Sequence, residues 1–257
     1  MAWPSRKDPG AVILGVPCLL AWAALARGAH GIVLPGICGL GSFWPAPVPA
    51  ALDLAVLLNP PDRLAGSWGL MAIAMMAPLI GAPLRQLRER SLARLRSPAM
   101  LWFALGYGGV WMAAGGIVLG AALGFALLLP PGWSAAGAGL LALLWQVSPT
   151  KQHCLNRCHA RPRIAAFGAP AAASALRYGL THGRWCVAAS APLMVLPFLL
   201  PAGHLAAMAA VAVFLFAERI ERPAPPRWGW RGTTVAWRLT LYKAAALAPA
   251  ASRNRVA

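Results

Sequence analysis

Residues 98–129 read PAMLWFALGYGGVWMAAGGIVLGAALGFALLL and carry no charged side chain. A run of about 30 uncharged, mostly apolar residues is long enough for one tilted helix to cross the hydrocarbon core of a bilayer. The composition of the whole chain agrees: of 257 residues, 59% are hydrophobic and 11% charged, with a mean hydropathy of +0.62. A soluble domain of this size carries about a quarter charged residues, so an ordinary water-facing surface is excluded. The expected fold is all-α, a polytopic transmembrane helix bundle embedded in the lipid bilayer. Within the run, Gly108, Gly116, Gly120 and Gly124 fall on one four-residue ridge. Small residues at that spacing let a neighbouring helix approach closely, so this ridge is the expected packing face.

Upstream lies a second apolar segment, 67–84, which contains WGLMAIAMMAP. It is followed by RQLRERSLARLR (85–96), where five arginines face one acid, Glu89. Loops rich in Arg and Lys stay in the cytoplasm, which fixes the sidedness. The first segment, 10–26, follows Arg6 and Lys7 and ends in Ala24-Leu25-Ala26, which resembles a signal-peptide cleavage site; a retained helix is the favoured reading. Residues 28–66 are expected to form a long non-cytoplasmic loop with one short helix near 49–58.

Downstream, Pro130-Pro131-Gly132 turns the chain on the outside, and 134–147 returns it. A second basic loop, 148–163, follows. The uncharged part of 164–180 has only 13 residues before Arg177. At about 1.5 Å per residue it covers roughly 20 Å, short of a core of roughly 30 Å. That stretch is therefore expected to be an interfacial or re-entrant helix. Segments 185–200 and 204–216 form a last hairpin turned at Pro201-Ala202-Gly203. In the tail, Trp228, Trp230, Trp237 and Tyr242 interleave with Arg227, Arg231, Arg238 and Lys243, as in an amphipathic helix lying on an anionic leaflet. About six crossings put both termini in the cytoplasm, in a multi-pass protein of a bacterial inner membrane. The chain divides into an N-terminal helix and loop (1–66), a membrane domain (67–220) and a basic amphipathic tail (221–257).

The formal net charge is +17. Because the cations lie between apolar segments and no nucleic-acid motif is visible, no nucleic-acid partner is expected. Catalytic signatures such as H-E-x-x-H, G-x-S-x-G and a phosphate-binding loop are absent, so a binding protein is favoured over an enzyme.

Two clusters carry chemistry. The first is His153-Cys154-Leu155-Asn156-Arg157-Cys158-His159, whose cysteines share a face if the segment is helical. The second pairs His182 with Cys186, again four residues apart. Together they offer the number of N and S ligands that a closed soft-metal or zinc site needs, and Lys151, Arg157 and Arg161 are expected to favour thiolate over thiol. Met71, Met75 and Met76 add thioethers, which accept Cu(I) but on an apolar helix also serve plain packing.

At these residues the chain resembles a family of bacterial integral membrane proteins predicted to bind metal. The resemblance rests on WGLMAIAMMAP (68–78), GYGGVW (106–111), WQVSPTKQHCLNRCHARP (145–162), GLTHGRWCVAASAPLM (179–194) and Glu218-Arg219. In that family the run at the last of these cysteines usually reads C-V-G-C-C-W. Here it is Cys186-Val187-Ala188-Ala189-Ser190-Ala191, without two further cysteines and the tryptophan. The resemblance implies metal binding and supplies no reaction.

The resulting expectation is a membrane protein that handles copper or zinc. Cys154, Cys158 and Cys186 would hold the ion at the cytoplasmic face with His153, His159 or His182, and Met71, Met75 and Met76 would line a path if transport occurs. Two other readings stay open: an assembly subunit with a membrane-protein partner and a vestigial site, and a membrane thiol redox protein.

Overall fold

The computed structural model describes residues 9–28, 47–130, 132–200 and 202–247. Among these residues the chain is all-α, with no strand. Its helices are α1 (Pro9–Ala26), α2 (Val48–Leu58), α3 (Pro61–Met76), α4 (Gly81–Arg90), α5 (Arg96–Leu128), α6 (Trp133–Val147), α7 (Pro149–Arg157), α8 (Gly168–Leu199), α9 (His204–Ile220) and α10 (Thr234–Leu247). A 3₁₀ turn at Ala77–Ile80 joins α3 to α4. Two helical runs, Pro61–Arg90 and Ala93–Leu128, are long and apolar enough to cross a membrane. The segments 14–26 and 133–147 are apolar but shorter.

The charge-free run forms the single long helix expected of it, α5. Its packing face is not the expected ridge. A Cβ added at Gly108, Gly116, Gly120 or Gly124 would meet nothing within 4 Å. The close approach lies on another face. A Cβ on Gly106 would sit 2.6 Å from the Leu176 carbonyl oxygen, and one on Gly179 would collide with the Phe103 carbonyl. Gly183 in turn faces Val110. Contact positions rise together along both helices, so α5 and α8 pack parallel, with glycine removing the side chain where backbones meet.

The expected break between a short interfacial helix and a separate crossing is also absent. α8 runs unbroken for 32 residues, a rise of about 48 Å. Arg177 and Arg184, which interrupt the apolar pattern, are simply exposed on its outer side.

Prolines explain two of the ties between helices. Proline lacks an N–H, so the carbonyl four residues before it has no helical partner. Pro78 strips Ala74, whose oxygen accepts from Trp22 Nε1 at 3.0 Å and Cys18 Sγ at 3.2 Å on α1. Pro192 strips Ala188, whose oxygen accepts from Trp145 Nε1 of α6 at 3.0 Å. On the outside of the bundle, α5 and α6 expose Leu101, Leu105, Ile117, Leu140, Leu141 and Leu144, whereas Lys151, Gln146, His182 and Glu218 are buried.

Candidate metal site

Ser148 starts α7: its hydroxyl accepts the Lys151 N–H at 3.1 Å, and Pro149 takes the first turn, where a missing N–H costs nothing. From that start Lys151, Cys154, Leu155 and Cys158 all turn inward. The expectation that Cys154 and Cys158 share a face is met. On α8, Tyr178, His182 and Cys186 are buried at a spacing of four, and on α5 so are Phe103, Tyr107 and Trp111. The end of α9 contributes Arg219.

Arg219 is where these elements converge. Its Nη2 donates to Cys186 Sγ at 3.3 Å, and Tyr107 Oη lies 3.3 Å from the same sulfur. The guanidinium also lies close enough to the Cys158 thiol to pull against the effect of its burial. Its Nε and Nη1 are sealed from solvent and have no hydrogen-bond partner. A cavity of about 210 Å³ reaches this point, and Gln86, Cys158, His159, Tyr178, His182 and Arg219 are among its walls.

The three histidines part company. His182 is buried against the rings of Phe103, Tyr107 and Tyr178, and its Nε2 has no hydrogen-bond partner. In His159 both nitrogens lie against backbone carbonyls, Nδ1 2.9 Å from Leu155 O and Nε2 3.1 Å from Arg219 O, and the neutral ring donates to one of them. His153 faces outward beside Trp185 and Arg157. Met71, Met75 and Met76 are all buried in the same apolar core as Cys158 and Cys186.

The cationic surroundings differ from those expected. Lys151 is not a solvated loop cation but a buried partner of Glu218, which also accepts from Gln146 Nε2 at 3.0 Å. Arg157 and Arg161 are exposed. Burial pushes the Cys158 thiol up to about 12, against the opposing pull of Arg219, and raises Cys154 as well. Both are therefore thiols in the metal-free protein, and a metal must displace their protons. Burial also lowers the His159 imidazole, which stays neutral.

Among the described residues, no three His, Cys, Asp or Glu side chains are grouped so as to hold a metal ion. Where the family pattern has further cysteines, Ala189 and Ser190 are buried, and Ser190 Oγ donates to Cys186 O at 2.7 Å. What the arrangement offers a soft ion is a thiol pair, Cys158 and Cys186, with the free His182 Nε2 on the wall of the same cavity. Sequence reasoning gave no role to Tyr107 or Arg219. Both lie in the segments that carry the family resemblance, but no spacing rule links single residues so far apart in the chain.

No curated protein and no solved structure matches the chain significantly. A family model for the copper chaperone PpoB2 matches residues 65–241, well over half of the chain, and takes in all these site residues. The chain belongs to the PpoB2 copper chaperone family.

Proposed function

We propose that the protein is a membrane-embedded copper chaperone that takes up Cu(I) on Cys158 and Cys186, beside a cavity whose wall also carries His182. The observation that carries this reading is the convergence of two buried thiols, from α7 and α8, on one guanidinium beside a cavity. Copper is the cargo. Thiolates select soft ions, and Cu(I) is content with two of them, whereas a structural zinc ion asks for four ligands. The lack of any grouped set of three donors among the described residues therefore favours copper over zinc. Cys154 lies one helical turn from Cys158 and is the reserve thiol. Met71, Met75 and Met76 supply weaker thioethers deeper in the core.

The membrane reading belongs to the same proposal. Apolar side chains cover the outside of α5 and α6, and Gln146, Lys151, His182 and Glu218 are buried inside. Such an arrangement suits a lipid surround, where an exposed polar group costs far more than an exposed leucine. Trp228, Trp237 and Tyr242 are exposed in the basic tail, as an anchor at a headgroup layer requires. Six crossings of a bacterial inner membrane, with both termini cytoplasmic, would place the thiol pair on the cytoplasmic side.

Elemental analysis of protein purified from copper-supplemented cells tests the function. The expected result is one copper per chain, lost in Cys158→Ser/Cys186→Ser. Copper retained at the wild-type level in that variant, or none in the wild type, refutes the reading.

A further inference from the structure

The number of thiols bears on which metals fit, and the charge beside them bears on the charge of the ion they take. Arg219 brings a permanent positive charge to Cys186 Sγ, 3.3 Å from its Nη2, and to the neighbouring Cys158 thiol. The other charged groups nearby do not cancel it. Glu218 is committed to Lys151, and His159 and the exposed Arg161 on the cavity wall bring no negative charge.

Loading forms two S–metal bonds to thiolates, and each proton that the metal displaces from sulfur leaves to solvent by the cavity. The loaded centre then holds two thiolates, the guanidinium and the ion. With a monovalent ion its charges sum to zero. A divalent ion leaves one uncompensated positive charge beside a buried guanidinium, and buried net charge is strongly disfavoured.

We propose that Arg219 is the specificity-determining residue of this site, tuning the thiol pair to a monovalent soft cation against divalent ones. This rests on the reading of Cys158 and Cys186 as the cargo site. Arg219 acts through charge balance rather than as a ligand: its three nitrogens carry protons and cannot coordinate.

The test uses purified full-length protein with Cu(I) or Ag(I) as monovalent probes and Cd(II) as an equally thiophilic divalent one. Cys158→Ser/Cys186→Ser serves as the blank. Wild-type protein is expected to bind the monovalent ions through the pair and to show no cadmium–thiolate absorption at stoichiometric Cd(II). Removing the charge in Arg219→Met should admit Cd(II) and narrow the preference for Cu(I) by about tenfold or more, the scale on which one adjacent charge shifts a thiol. Arg219→Lys, which keeps the charge, should still exclude Cd(II).

Cadmium–thiolate absorption in wild-type protein that the blank lacks overturns the proposal, and that arm holds even if Arg219→Met fails to fold. So does a folded Arg219→Met variant with wild-type discrimination. Monovalent binding that ignores the cysteine pair would instead sink the underlying cargo-site reading.

Discussion

Lys151 and Glu218 form an ion pair with only 2% and 3% of their side chains exposed. The pair joins the first turn of α7 to the end of α9, and Glu218 is next to Arg219 in sequence. It thus holds the helix end that presents the guanidinium to the thiols. Burial pulls the Lys151 ammonium down from its ordinary value, but Glu218 pulls it back.

Removing one partner leaves a buried charge without compensation. Lys151→Met should therefore lower stability by about 3–5 kcal/mol. Lys151→Met/Glu218→Gln should recover much of that loss. Thermal unfolding in detergent measures both, and a single variant as stable as wild type would show that the pair is not buried as described.

The contact between α5 and α8 predicts a contrast among glycines. Gly179→Ala drives a Cβ into the Phe103 carbonyl and should cost about 1–3 kcal/mol. Gly116→Ala on the same α5 meets open space and should be neutral within about 0.5 kcal/mol, or slightly stabilising through helix propensity. Equal effects at the two sites would contradict the packing.

Trp145 and Pro192 should be coupled through a carbonyl that neither of them owns. Trp145→Phe leaves Ala188 O without a donor, at a cost of about 1–2 kcal/mol. In a Pro192→Ala background the backbone N–H of residue 192 can serve that oxygen, so the same change should cost clearly less. A double-mutant cycle on unfolding temperature reads the coupling, and additive effects would deny it.

Much of this architecture could be read in the sequence, and the failures share one cause. Hydropathy along 98–129 was sufficient for α5 because a long apolar helix depends on local composition alone. The continuity of α8 was hidden because Arg177 and Arg184 break the apolar pattern, and only the packed neighbour tells which side of a helix faces outward. Glycine spacing likewise revealed a narrow face but not which of two such faces meets a partner. Lys151 looked like a loop cation because Glu218, which makes its burial tolerable, lies 67 residues away. For the site, Cys158 and Cys186 stood out by residue type, and so did His182. Arg219 did not, since its place among the thiols comes from the tertiary fold.

The membrane proposal is tested by reporter fusions at residues 90, 132 and 158. Position 132 should report the external side and the other two the cytoplasm. An internal signal at 132, or an external one at 158, would overturn the six-crossing arrangement.

The central claim is that Cys158 and Cys186 jointly hold Cu(I), and X-ray absorption at the copper edge of the loaded protein addresses it most directly. The account predicts monovalent copper with two sulfur neighbours in the wild type and one sulfur fewer in Cys186→Ser. Copper surrounded only by nitrogen and oxygen, or a sulfur count unchanged in Cys186→Ser, would contradict it.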